Sequence, residues 1–170
     1  VNKMTEIAPL YDVLDQLLQQ HQALCTLARQ KKEVLIKNEI ETLMEITKQE
    51  SKLLKAVEQT EASRVELVKQ LCAARGLSLE SVTLQDLIKS TTSLEEKNRL
   101  AHYRQELIRI VSELRQANEL NQQLLEQSLS FIQHNLDLLT AAPEDDYIYR
   151  NPAGYGGGTS ANRSFINKKA

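Results

Sequence analysis

Three histidines, two cysteines and the acidic residues are the groups from which this chain could build a reactive centre, and their spacing builds none. His21, His102 and His134 lie far apart, and none belongs to an HxxxH or HExxH pair. No Glu stands three residues before a His, so the Glu-x-x-His pairs of a di-iron helix bundle are missing. Cys25 and Cys72 lack the CxxC or Cys/His spacing of zinc and redox sites, and read as small buried hydrophobes of a reducing cytosol. There is no Gly-rich phosphate loop and no arguable Ser/His/Asp arrangement. The expectation is a protein that is no enzyme and takes no cofactor or metal. The 21 basic and 23 acidic residues are interspersed, as on a solvated helical surface, so no basic block exists to hold nucleic acid. The chemistry left over is that of contact. Amides interleaved with leucines fill residues 116–139, and tyrosines sit among glycines in residues 143–170.

The elements that present these groups follow from what the chain omits. Between Leu10 and Ala142 there is no proline and one glycine, Gly76. Such residues cost a helix interior roughly 1 kcal/mol for Gly and about 3 for Pro, so the stretch reads as long helices. No apolar run approaches the roughly 18 residues of a membrane span, and VNKMTEIAPL carries no signal-peptide hydrophobic region, so no membrane insertion is expected.

Leu10, Leu14, Leu17, His21, Leu24, Ala28, Lys31 and Leu35 step by 4 and 3, a heptad seam for a first helix over about residues 5–36. Asn38 and Glu41 read as a capping box that opens a second helix over about 39–75, making an antiparallel hairpin. Its middle, Glu58 to Glu61, is polar and should pack loosely. Gly76 stops it, and Thr83 to Ile88 could form a short capped turn. Ser93 and Glu96 form a second capping box for a helix over about 94–140. At 1.5 Å per residue this third helix spans about 70 Å against roughly 45 to 55 Å for the others, so its end should outrun the hairpin. The fold expected is all-α: an elongated antiparallel three-helix bundle or coiled coil over residues 1–142. The tail, 143–170, holds four of the seven aromatics among glycines and reads as disordered.

The surplus end of the long helix carries its own chemistry. Between Gln116 and Leu139 only Glu119, Glu126 and Asp137 are charged. Leu120, Leu124, Leu125, Leu129, Phe131, Ile132, Leu136 and Leu139 cover more of the circumference than one seam needs. Either this arc packs inside a bundle or a homodimer, or it accepts an amphipathic helix from a partner. A structural coiled-coil scaffold that self-associates through the same helices is the competing reading. Tyr147, Tyr149 and Tyr155 could anchor a short docking motif, or be incidental.

The runs HQALCTLARQKKEVLIKNEIETLMEITKQESKLL and LRQANELNQQLLEQSLSFIQHNLDLLT, with the tail YxYRNPAGYG and the ending FINKKA, resemble the FlgN-type flagellar export chaperones over essentially the whole chain. The resemblance implies a cytoplasmic chaperone of the type III export system. Its cargo would be the hook–filament junction proteins FlgK and FlgL, bound by their C-terminal helical segments and delivered to the export gate protein FlhA. It places cargo on the last long helix, at Leu124, Leu125, Leu129, Phe131, Ile132, Leu136 and Leu139. The tail tyrosines would then be candidates for docking to the gate.

Overall fold

A computed structural model describes residues 7–77 and 83–140. Four helices account for nearly all of them: α1 (Ala8–Lys37), α2 (Ile40–Ala74), α3 (Leu84–Ser90) and α4 (Leu94–Thr140). The fold is all-α.

Helix ends lie where the chain offers special backbone chemistry. Pro9 sits in the first turn of α1, where a missing N–H costs nothing. Asn38 plays a different part from the expected cap of α2. It takes the left-handed conformation (φ 56°, ψ 37°) and closes α1, while the N–H of Glu39 donates to the Val34 carbonyl at 3.1 Å. Asn tolerates that conformation better than other non-glycine residues, and a reversal this short requires it. α2 therefore starts at Ile40, with Glu39 in the capping position and no side-chain cap. Gly76, at φ 72°, ends α2 in the same way, with the Leu77 N–H donating to the Cys72 carbonyl at 3.0 Å.

The short capped turn is α3. Thr83 accepts from the Asp86 N–H at 3.2 Å and its own N–H donates to the Asp86 carboxylate at 3.0 Å, a complete capping box. The Ser93 hydroxyl likewise accepts from the Glu96 N–H at 3.4 Å, opening α4.

The first-helix seam is the spine of the molecule. Leu10, Leu14, Leu17, Leu24, Ala28 and Leu35 are all buried, and its polar interruptions are paired. His21 Nδ1 lies 2.7 Å from the Leu17 carbonyl, and Lys31 bridges to Glu50 at 2.7 Å. α2 runs antiparallel to α1, as the Gln20–Thr60 bond (2.9 Å) and the Lys31–Glu50 pair show. Thr60 is buried, so the middle of α2 packs more closely than its polar run suggests: this small hydroxyl fits under Gln20. α4 runs parallel to α1, with Tyr103 donating to Asp15 at 2.7 Å and Asn121 Nδ2 donating to the Ala28 carbonyl at 2.8 Å.

The helices alternate up, down, up, yet the third long helix settles on the first and not on the second. Among the described residues no Cα of α2 comes within 8 Å of a Cα of α4. The layer order is α2–α1–α4, and the bundle is open on one side. α3 touches both α2 and α4 at one end and plugs the opening there. Around that plug lies the main core: Leu10, Leu14, Val68, Cys72, Leu87 and Leu100 are fully buried or nearly so. Each such side chain contributes about 1.5–3 kcal/mol by leaving water. Tyr11 stacks on Tyr103 with ring centroids 5.9 Å apart, and the Arg99 guanidinium lies 3.9 Å above the Tyr11 ring. Burial pushes the Cys25 and Cys72 thiols up from their ordinary value, as expected of inert, enclosed cysteines.

Candidate functional site

The parallel pairing of α1 and α4 fixes where α4 leaves its support. Cys25 meets the Ile110 carbonyl at a sequence separation of 85, and Asn121 meets Ala28 at a separation of 93. Adding either separation to 37 puts the end of α1 level with about residues 122–130 of α4, so roughly the last 10 to 18 residues project beyond the hairpin.

The apolar arc lies along that projection and just before it. Among its members Leu125 is 36 % exposed, Phe131 67 % and Leu139 75 %, and Leu120, Leu129, Ile132 and Leu136 are exposed as well. Leu124 is half-buried. Among the described residues, then, nothing encloses the arc, and only Leu124 is partly covered. Leu138, equally apolar, is also exposed.

The eight predicted residues do not form one surface. At 3.6 residues per turn, Leu125, Leu129, Ile132, Leu136 and Leu139 share one side of α4, while Leu120, Leu124 and Phe131 lie about a third of a turn away. The first group continues a row that begins deeper in the molecule, at Leu114, Asn118 and Asn121. That row is one wall of a groove of about 450 Å³ between α2 and α4. The floor comes from α1, through Leu24, Lys31 and Leu35, and the far wall from Leu43, Thr47, Glu50 and Leu54 of α2. Of the predicted residues only Leu125 lines the groove.

Sequence reasoning missed the α1 and α2 contributions. Their signal was present: Leu43, Thr47, Glu50 and Leu54 step by 4, 3 and 4, a helix stripe in its own right. In a closed bundle that stripe would face α4. Here α4 lies on α1 instead, and Leu54 is left 51 % exposed.

Polar groups in and beside the groove are largely satisfied. Lys31 and Glu50 neutralise one another at 2.7 Å, and their side chains are 25 % and 14 % exposed. Asn121 is buried and donates to Ala28, but its Oδ1 has no partner. The site therefore offers leucines, amides and one internally balanced ion pair. Nothing in it activates a nucleophile or polarises a bond; it can hold another apolar surface. No helix among the described residues is long and apolar enough to cross a membrane. Tyr147, Tyr149 and Tyr155 lie outside the described residues.

Comparison with known proteins bears on what such a surface is for. An uncharacterized protein, YvyG of Bacillus subtilis (strain 168), is 32 % identical over 140 residues, covering 82 % of this chain and 84 % of that protein. No solved structure matches the chain. The model of the FlgN protein family matches residues 4–156, taking in all four helices. The chain therefore belongs to the FlgN family, a family of flagellar export chaperones rather than of enzymes.

Proposed function

We propose that this protein is a cytoplasmic export chaperone that caps the C-terminal helical segments of the junction proteins FlgK and FlgL and hands them to the export gate protein FlhA. The observation that supports this reading is the exposed apolar stripe of α4, Leu125, Leu129, Ile132, Leu136 and Leu139, which runs out past the end of α1 and is left uncovered by the other described residues. A cargo helix laid on it would cover these side chains and its own apolar face at once. Association and side-chain ordering consume most of what burial provides, so a reversible complex is expected. The work is stoichiometric shielding.

Light-scattering mass on the protein alone, and mixed with the C-terminal segment of a junction protein, tests the reading. A new species of defined stoichiometry supports it. An unchanged homo-oligomer in both runs transfers the surface to self-assembly, as in a coiled-coil scaffold or a homodimer. For the tyrosines, deletion of residues 143–170 is expected to spare cargo binding and weaken association with the gate. Unchanged gate binding would remove Tyr147, Tyr149 and Tyr155 from the proposal.

A further inference from the structure

Among the described residues, the groove between α2 and α4 has apolar side chains of three helices along it: a buried floor from α1 and partly or fully exposed walls from α2 and α4. Leu24 and Leu35 from α1, Leu43 and Leu54 from α2, and Leu114 and Leu125 from α4 line it. Two features distinguish it from an incidental crevice. Its α4 wall runs without a break into the bare stripe of the projecting end, since Leu114, Asn118, Asn121, Leu125, Leu129, Ile132, Leu136 and Leu139 follow at spacings of 3 or 4. Its outer walls stand apart, because α2 and α4 both pack on α1 while, among the described residues, no Cα of one helix comes within 8 Å of a Cα of the other.

We infer that the chaperone's binding surface is a continuous track in two parts: a three-walled socket between α2 and α4, and a single-walled rail formed by the end of α4. This rests on the cargo reading above and extends it to residues of α1 and α2. The occupant is a single amphipathic helix of a partner protein. Leu114 to Leu139 spans 25 residues, about 38 Å of helix, so the partner needs an apolar face of about that length. Its socket end must be apolar or carry uncharged polar groups. Lys31 and Glu50 already neutralise each other there, and a further charge would be desolvated without a counter-ion. Asn118 and Gln122, both exposed on the α4 wall, can hydrogen-bond an amide or hydroxyl of the incoming helix.

Socket and rail can be tested separately in the full chain. The probe is the C-terminal helical segment of a junction protein, titrated by calorimetry. Leu54→Glu alters the α2 wall, which the rail alone would not use, and Leu139→Glu alters the rail. Leu54 is half exposed, so the folded chain should tolerate the change, which the melting temperature checks. Leu54→Ser separates loss of apolar contact from addition of charge. Leu94→Glu, at the exposed start of α4 and far from the track, is the control.

The expected result is that Leu54→Glu and Leu139→Glu each weaken binding roughly tenfold or more, Leu54→Ser less, and Leu94→Glu not at all. Wild-type affinity in Leu54→Glu, alongside loss in Leu139→Glu, overturns the socket and leaves the chaperone reading standing. No binding by the wild-type chain overturns both. A homodimer in the free protein that dissociates in Leu54→Glu overturns the choice of occupant, and assigns the socket to a second copy of this chain.

Discussion

The two ends of α4 are built to opposite specifications. At its start, Leu100 and Tyr103 are enclosed by α1, α2 and α3, and the polar groups are tied into pairs such as Tyr103 with Asp15. At its end, Ile132, Leu136 and Leu139 stand in water, and the local hydrogen bonds, Gln133 to Asp137 and Thr140 to Leu136, run only along the helix itself. One helix thus serves as core at one end and as presented surface at the other. Stability and binding should therefore respond to different substitutions along a single element, which can be checked residue by residue.

The largest effect belongs to the packed end. Leu100→Ala removes a fully buried side chain from the centre of the core, and should cost about 2–5 kcal/mol of unfolding free energy. Urea unfolding followed by circular dichroism measures it. A cost below about 1 kcal/mol would mean that the plugged end is loosely packed, and the contrast between the two ends would fail.

The contrast also explains what could be read in advance. Helix positions, the hairpin, the α1 seam and the surplus length of α4 were legible, because each depends on local spacing: the 4–3 stepping from Leu10 to Leu35, the absent prolines, the single Gly76. The neighbour chosen by α4 was not legible. Heptad rows on three helices are compatible with a closed bundle and with an open layer alike, and their spacing says nothing of α3, which packs on both α2 and α4 at one end. With that went the groove, since Leu43 and Leu54 count as core in one arrangement and as wall in the other. Asn38 was misassigned because the same residue type favours both helix starts and left-handed helix ends.

Next in size is Asn121, where the packed half of α4 gives way to the open half. Its amide Nδ2 bonds Ala28 while its Oδ1 stays buried without a partner, at a cost of about 1–3 kcal/mol that the single hydrogen bond only partly offsets. Asn121→Leu should raise unfolding stability by roughly 1 kcal/mol, read from the urea midpoint. The benefit of the wild-type residue would be register: a lone polar residue in an apolar seam fixes how two helices align. Cross-linking of cysteine pairs placed across α1 and α4 should give one pairing in the wild type and several in the variant.

Of similar size is the plug itself. Thr83→Ala deletes the cap of α3 and should cost about 1 kcal/mol. The partner carboxylate adds a pH signature. Hydrogen bonds from the Thr83 hydroxyl and backbone N–H hold the Asp86 carboxyl below its ordinary value. A depressed carboxylate stabilises the fold above its unfolded pKa, and that contribution is lost as pH falls through the lower, folded value. The wild type should therefore lose stability over acidic pH more steeply than Thr83→Ala, whose Asp86 has lost the hydroxyl donor. Parallel pH profiles would show that the box does not contribute.

The smallest effect on stability belongs to the presented end, and it is the most informative. Ile132→Glu places a charge on a side chain that is 53 % exposed, beyond the end of α1. Substitutions at such sites stay within about 0.5 kcal/mol, so helical content and the unfolding midpoint should be unchanged. Cargo binding should nevertheless be lost, because the new carboxylate would be buried without a partner under the incoming helix. Leu124→Glu, a little under a quarter of a turn away from Ile132 and half-buried, sharpens the test. If the partner lies on the groove-side stripe alone, Leu124→Glu weakens binding less than Ile132→Glu does. Equal losses would mean that the cargo wraps both faces of the projecting helix. Unfolding of the free protein by Ile132→Glu would mean that the end of α4 is held by packing after all, and that presentation is not its purpose.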